Sequence, residues 1–232
     1  YEEWGENLFH RINGMFALAI YNQPKKQIIL ARDRFGQKPL FYTQQDEVFM
    51  FASELTPFRV NPAVETHLSE LSIQKYFAYR FFPAPHTIFQ NIYKLKAGHW
   101  LKYDLVSNRI DIHKYWNFSL EPIELIPENA EKKWGDELLF LLEQSVQRRL
   151  MSDVPVAVFL SGGIDSSAIL HYAQHISPLS IDAYGIGFDE KSYDETPYIE
   201  NAAQHTGSKK NVRIFSLDKM KQVLPQVLSS ID

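Results

Sequence analysis

The residues best equipped for chemistry stand together: Ser161, Gly162, Gly163, Ile164, Asp165, Ser166 and Ser167. Serine hydroxyls donate to phosphate oxygens, a carboxylate suits a hard divalent cation, and glycines let backbone N–H groups come close to a ligand. Ser161, Ser166 and Ser167 with Asp165 therefore suit a magnesium-bound phosphate: donors for the oxygens and an acid for the metal. The spacing G-x-x-x-x-G-K-[ST] and its lysine are missing, so this is not the other common phosphate loop. A plainer account is a tight strand-to-helix turn in which Asp165 and the serines only cap the helix. Residue types alone leave both accounts open.

The loop needs a strand before it and a helix after it. Residues 156–160, Val-Ala-Val-Phe-Leu, read as a strand of a parallel sheet, apolar because helices cover both faces. A helix is expected from the loop to about His175, and its N-terminus would leave unpaired N–H groups and a positive dipole end pointing into the turn. Upstream, residues 129–151 read as a helix that packs Trp134, Leu138, Leu141, Leu142 and Ser145 on the sheet. Downstream come a strand over 183–188, a helix over 194–205 stopped by Gly207, and a strand over 211–217. Asp218 is expected to cap a last helix that Pro225 breaks. This alternation from residue 128 onward predicts a parallel, doubly wound sheet with nucleotide at the carboxyl ends of its strands. Two other patterns carry less. His171 and His175 have the spacing of a metal pair, but Tyr172 stands where H-E-x-x-H requires glutamate, and surface histidines are expected. Gly185-x-Gly187 lacks the third glycine of a dinucleotide fingerprint.

The first half of the chain reads as β-rich. An apolar run over 15–21, a turn over 22–26 and a strand over 27–32 make a hairpin, followed by strands at 40–42 and 48–52. Arg32, Asp33, Arg34 and Lys38 between them read as a solvated turn with local ion pairs, each worth roughly 0–1 kcal/mol. Residues 71–82 read as a helix entered from Ser69. Residues 116–127 form a Pro-containing connector, which puts a domain boundary near 120.

At 232 residues, 45% hydrophobic and 14% aromatic, the chain is globular and long enough for one large domain or two small ones. A net charge of −4 with no basic run gives no support to nucleic-acid binding. Cysteine is absent, which excludes disulfides, thiolate zinc sites and a cysteine nucleophile within these residues. No apolar stretch of membrane-spanning length and no signal-peptide pattern is present, so no membrane partner and a cytoplasmic setting are expected. The chain starts at Tyr1 rather than Met and stops in a helical pattern, as a piece of a longer protein would.

The string Ser-Gly-Gly-Ile-Asp-Ser-Ser resembles the S-G-G-x-D-S loop of the ATP pyrophosphatases, which bind the pyrophosphate of ATP and transfer AMP to an oxygen acceptor. Residues 13–19 (Asn-Gly-Met-Phe-Ala-Leu-Ala), 31–42 (Ala-Arg-Asp-Arg-Phe-Gly-Gln-Lys-Pro-Leu-Phe-Tyr) and 52–55 (Ala-Ser-Glu-Leu) resemble the later half of a class II glutamine amidotransferase domain. Residues 83–89 and 94–99 look like the segment that links the two halves of glutamine-hydrolysing asparagine synthetases. The match continues through Arg148-Arg149-Leu150 and Ser152-Asp153-Val154-Pro155 into the phosphate loop.

The resemblance implies an α+β N-terminal part over 1–120, an incomplete Ntn-type glutaminase sandwich plus linker. An α/β doubly wound parallel sheet of the ATP-pyrophosphatase type would follow over 121–232. It implies a carbon–nitrogen ligase that makes asparagine from aspartate, ATP and glutamine-derived ammonia through an aspartyl-adenylate, releasing AMP and pyrophosphate. Ser161, Gly162, Gly163, Asp165, Ser166 and Ser167 would hold the pyrophosphate of ATP, with Mg²⁺ on Asp165. Phe159, where the family usually has leucine, and Ile186 would grip the adenine, although core packing accounts for both equally well. Lys209, Lys210 and Asn211 depart from the histidine the family often carries after the Gly207 turn. No catalytic residue is expected here, because the glutaminase cysteine precedes Tyr1 in the family order, and no glutamine hydrolysis is expected of these residues alone. The complete enzyme is expected to be a homodimer. A related amidotransferase, β-lactam synthetase-like or amidating sugars or peptides, and a non-catalytic nucleotide-binding module stand as alternatives. A tRNA-modifying pyrophosphatase is disfavoured by the missing cysteines and basic surface.

Overall fold

The computed structural model describes residues 1–123 and 125–230. The chain forms two compact units, one over residues 1–121 and one from Pro122 onward.

The first unit is built on two antiparallel sheets. Its elements are α1 (Leu8–Arg11), β1 (Ala17–Asn22), β2 (Gln27–Arg32), β3 (Phe41–Gln45), β4 (Val48–Ala52), α2 (Thr56–Val60), α3 (Glu70–Tyr79), β5 (Ile92–Lys94), β6 (His99–Asp104) and β7 (Arg109–Lys114). One sheet runs β1-β2-β6-β7 and the other β4-β3-β5. Alternation along each strand sorts side chains to two faces. Leu30 of β2 joins Leu101 and Tyr103 of β6, Tyr42 of β3, and Leu40 and Leu95 in a shared core. The neighbours of Leu30, Ile29 and Ala31, pack instead with Phe9 of α1 and Tyr115. On the second sheet Phe41 and Ile92 pack with Phe58 of α2. Each sheet thus has one face on the shared core and one under a helix.

One expectation changes in this unit. Of the four charged residues of the turn only Lys38 is exposed. Asp33 is 0% exposed and its carboxylate accepts from the backbone N–H groups of Phe16, Phe35, Gln37 and Lys38 at 3.0–3.3 Å. The guanidinium of Arg32 is spent on carbonyl oxygens, donating to Lys38 (2.7 Å), Leu95 (2.8 Å) and Gly36 (2.6 Å), while Arg34 donates to Ile12 and His10. A buried carboxylate replaces water at four backbone donors, which a chain of surface ion pairs would not require. Between the stretches 83–89 and 94–99, β5 pairs with β3, and Ile92 and Leu95 are fully buried. The helix entered from Ser69 stands, its Oγ accepting from Ser72 N, and ends at Arg80 in the left-handed region.

The second unit contains α4 (Ala130–Arg149), β8 (Ala157–Phe159), α5 (Ile164–Ile176), β9 (Asp182–Phe188), α6 (Thr196–Thr206), β10 (Lys210–Phe215) and α7 (Leu217–Ser230). The sheet is parallel in the order β10-β9-β8. Val146 of α4, Leu170 and Ala173 of α5, Ala183 of β9, and Ile199 and Ala203 of α6 form the core, with Val158 and Val212 against it. These helices cover one face of the sheet. Among the described residues no helix packs on the other, so the second layer of a doubly wound sheet is not part of this description. The strand ahead of the loop is correspondingly half-covered: Val156, Val158 and Leu160 face the core, whereas Phe159 is 87% exposed.

Helix α4 buries a different stripe from the one its sequence suggests. Leu142, Val146 and Leu150 pack, while Leu138 is 65% exposed and Leu141 51%. The core cluster meets only the C-terminal half of α4, largely through α5, so tertiary contact, not the strongest apolar face, selects the stripe. Ser216, not Asp218, caps α7, its Oγ accepting from Lys219 N at 3.2 Å. Pro225 lies inside α7 without ending it.

Candidate functional site

The loop rises from the carboxyl end of β8, where Leu160 N still donates to Tyr184 O at 2.7 Å. Gly162 turns the chain with φ +76°, and a Cβ there would stand 2.6 Å from Tyr198 C and 2.8 Å from Ile199 N. The turn is thus pressed against α6, and only glycine combines the left-handed backbone with that approach. Gly163, with φ −70°, is the N-cap residue of α5, and no side chain caps the helix. The first-turn N–H groups and the positive helix end are left facing outward from the loop.

The serines hold the loop's own shape. Ser166 Oγ accepts from Ser161 N (3.3 Å), donates to Gly163 O (3.3 Å) and lies 3.1 Å from Ser161 Oγ. Ser161 Oγ also accepts from Gly163 N at 3.4 Å. Asp165 is exposed in the first turn of α5 and has no hydrogen-bond or ion-pair partner among the described residues. Of the two accounts for Asp165, the helix cap is the one its geometry does not support.

Phe159 and Ile186 lie outside the core. Register pairs Phe159 with Tyr184, and Ile186 follows two positions on, so the three share the face of the sheet opposite α5 and α6. Ile186 is 54% exposed. Tyr184, 45% exposed, lies beside them on that face. Strand alternation from Ile186 was the signal that would have found it.

Gly185 and Gly187 serve packing. A Cβ on Gly185 would meet Ile199 Cδ1 at 2.8 Å, and one on Gly187 would meet Ile214 Cδ1 at 2.8 Å and Asp194 Oδ1 at 3.0 Å. The helix α6 begins there: Asp194 Oδ1 accepts from Thr196 Oγ1 (2.6 Å), Thr196 N (3.1 Å) and Phe188 N (3.4 Å). These bonds, the Thr196 hydroxyl first, hold the Asp194 carboxyl below its ordinary pKa. His171 and His175 are exposed on α5 with near-parallel rings 6.4 Å apart, and no cluster of three or more metal-ligating residues occurs among the described residues. Lys210 pairs with Glu200, so it fastens β10 to α6.

The glutamine amidotransferase domain family matches residues 1–116, and the asparagine synthase family matches residues 137–232. The chain belongs to the glutamine-hydrolysing asparagine synthetases. A putative glutamine-hydrolysing asparagine synthetase 2 of Methanocaldococcus jannaschii is 36% identical over 86% of this chain and 38% of its own length. Asparagine synthetase 1 of Bacillus subtilis is 28% identical over 100% of this chain and 36% of its own. Asparagine synthetase 2 of the same organism is 39% identical over 75% of this chain and 24% of its own. The chain thus spans well under half the length of these curated relatives.

The strand ends, where a nucleotide is expected, carry a further feature. A cleft of about 980 Å³ opens at the carboxyl ends of β9 and β10, among Phe188, Asp189, Glu190, Tyr193, Phe215 and Leu217. Ligands of parallel sheets sit at these strand ends, so the residues just after each strand were the place to look.

Proposed function

We propose that the protein takes part in the ATP-dependent amidation of aspartate to asparagine. Glutamine supplies the ammonia. The aspartate carboxylate attacks the α-phosphorus of ATP, pyrophosphate leaves, and ammonia displaces AMP from the aspartyl-adenylate. The observation that carries this reading is the loop itself: a helix N-terminus without a side-chain cap behind Gly162 and Gly163, at the end of a parallel strand, with Asp165 exposed and without a partner among the described residues.

Within the reading, the N–H groups at the start of α5 and the hydroxyls of Ser161, Ser166 and Ser167 hold the leaving pyrophosphate and stabilise the charge that develops on it. Phe159, Tyr184 and Ile186 offer an apolar face for the adenine base. The residues fit Mg²⁺, which takes one or two carboxylates plus phosphate oxygens rather than a cage of protein ligands, and Asp165 is the carboxylate that would hold it. Bound there, magnesium would supply neutralisation of the pyrophosphate charge. A homodimer in the cytoplasm, acting on small molecules and without nucleic-acid or membrane partners, is the setting that goes with this reading.

Asp165→Asn tests it, because asparagine keeps the shape and removes the charge. Calorimetric titration of the chain with ATP in magnesium should show affinity lower by about tenfold or more, the scale of a lost interaction with a charged group. With chelator present the affinity should stay level or rise. Equal affinity of parent and variant for ATP in magnesium would remove Asp165 from the metal site.

A further inference from the structure

The first unit contains a second polar cavity, far in kind from the loop of the other unit. Where the two sheets splay at one edge, a cavity of about 530 Å³ opens between β5 and the paired ends of β6 and β7. Tyr42, Tyr93, Pro85 and Ile112 give it apolar walls, and Lys94, Lys96, His99 and Lys114 give it four nitrogen-bearing side chains. His99 and Lys114 are register partners across β6 and β7, so they stand on one face of that sheet, the face that carries Leu101 into the shared core. Lys94 and Lys96 reach the same space from the second sheet and the turn after it.

Among the described residues the cavity's lining brings positive charge and no counter-charge. No aspartate or glutamate lines the cavity. Among the described residues the ion pairs of lysine are Lys102–Asp111, Lys132–Asp136 and Lys210–Glu200, none of which involves the cavity. Lys96 and Lys114 make no hydrogen bond or ion pair there, and Lys94 donates to Phe82 O at 2.9 Å. Burial, then the charge of Arg32, lowers the Lys94 ammonium below its ordinary pKa, and burial, then Lys75 and Lys96, does the same to His86. Lys96 and Lys114 are exposed and Lys94 is half-buried, so an anionic ligand entering the cavity would meet lysine charge with no acid beside it.

We infer that this cavity between the two sheets of the first unit, lined by Lys94, Lys96, His99 and Lys114, binds the phosphate group of a small organic phosphomonoester. The donors decide the class. Planar carboxylates are best taken by a guanidinium fork, and the fork of Arg32 is already spent on three carbonyl oxygens. Lysines that arrive as separate point charges from several strands suit a tetrahedral dianion with oxygens on all sides. The volume exceeds what a bare phosphate fills, and the tyrosine and proline walls give an organic remainder an apolar seat. This inference stands apart from the proposed ATP chemistry, which concerns the other unit.

The test is a site-resolved titration of the chain with phenyl phosphate, followed by amide and side-chain NMR. Saturable shifts are expected at Tyr93, Lys96, His99 and Lys114. The double variant K96Q/K114Q should weaken that affinity by about tenfold or more, because two charge-assisted contacts are lost. The loop variant Asp165→Asn should leave these shifts unchanged, which separates this site from the phosphate loop of the second unit. Circular dichroism and the spectrum of the shared core check that K96Q/K114Q is folded. Phenyl phosphate shifts confined to residues 161–167, shifts at the cavity that K96Q/K114Q does not weaken, or equal affinity for benzoate would each overturn the inference.

Discussion

Replacing Gly162 by alanine imposes two separate costs on the phosphate loop. The backbone at this position has φ +76°, where an L-residue is disfavoured by about 1–2 kcal/mol. The added methyl would also stand 2.6 Å from Tyr198 C and 2.8 Å from Ile199 N, backbone atoms of α6 that no rotamer change can move aside. Overpacking of this kind costs about 1–3 kcal/mol. The sum, about 2–5 kcal/mol, corresponds to a fall in Tm of about 10 °C or more for a unit of this size. Because the chain has two units, the assay should be amide exchange read at Leu170, Ala173 and Ala183 in the core of the second unit, with Leu30 and Leu101 as internal controls. Gly163→Ala is the matched comparison. Its φ is −70°, and a Cβ there would meet only Ser161 Oγ at 3.4 Å, so about 0.5–1 kcal/mol is expected, from the poorer N-cap. Equal protection in parent and Gly162→Ala, or equal losses in the two alanine variants, would refute the close packing of the loop on α6.

Asp33→Ala strips four backbone N–H groups of their acceptor, so at about 1 kcal/mol or more each the first unit should lose about 4 kcal/mol or more in urea unfolding, with Asp33→Asn intermediate. The Asp104 carboxyl is held down at about 2, by the Ser107 backbone N–H first and then the Gln27 side chain. Its folded pKa lies below the ordinary 3.8, so its contribution to the β6–β7 turn is complete above about pH 4 and lost as pH falls toward 2. An Asp104 side-chain NMR titration with a midpoint near the ordinary value would contradict this, and Asp104→Asn should remove that part of the acid dependence.

The parts of this protein written in short stretches of sequence were legible. Apolar runs and a turn at 22–26 define the hairpin of β1 and β2, Ser69 starts α3, Gly207 stops α6 with φ +68°, and the string from Ser161 to Ser167 announces its loop. Each depends on backbone preferences and capping over a few residues, which the chain carries locally. What lay beyond the sequence depended on partners distant in the chain. Nothing near Asp33 says that it will be buried beneath four amides, nor near Gly162 that Tyr198 will close on it. Helix α4 offers several apolar stripes, and only packing on α5 and the core beside it selects Leu142, Val146 and Leu150. The alternation of Phe159 and Ile186 says that they share a face, but not which face the helices take. Lys94, Lys96 and Lys114 are unremarkable as surface lysines until two sheets bring them to one cavity. Local propensity acts through a handful of neighbouring dihedrals, whereas burial and electrostatic environment are sums over every element that packs against a residue, and those exist only in the folded chain.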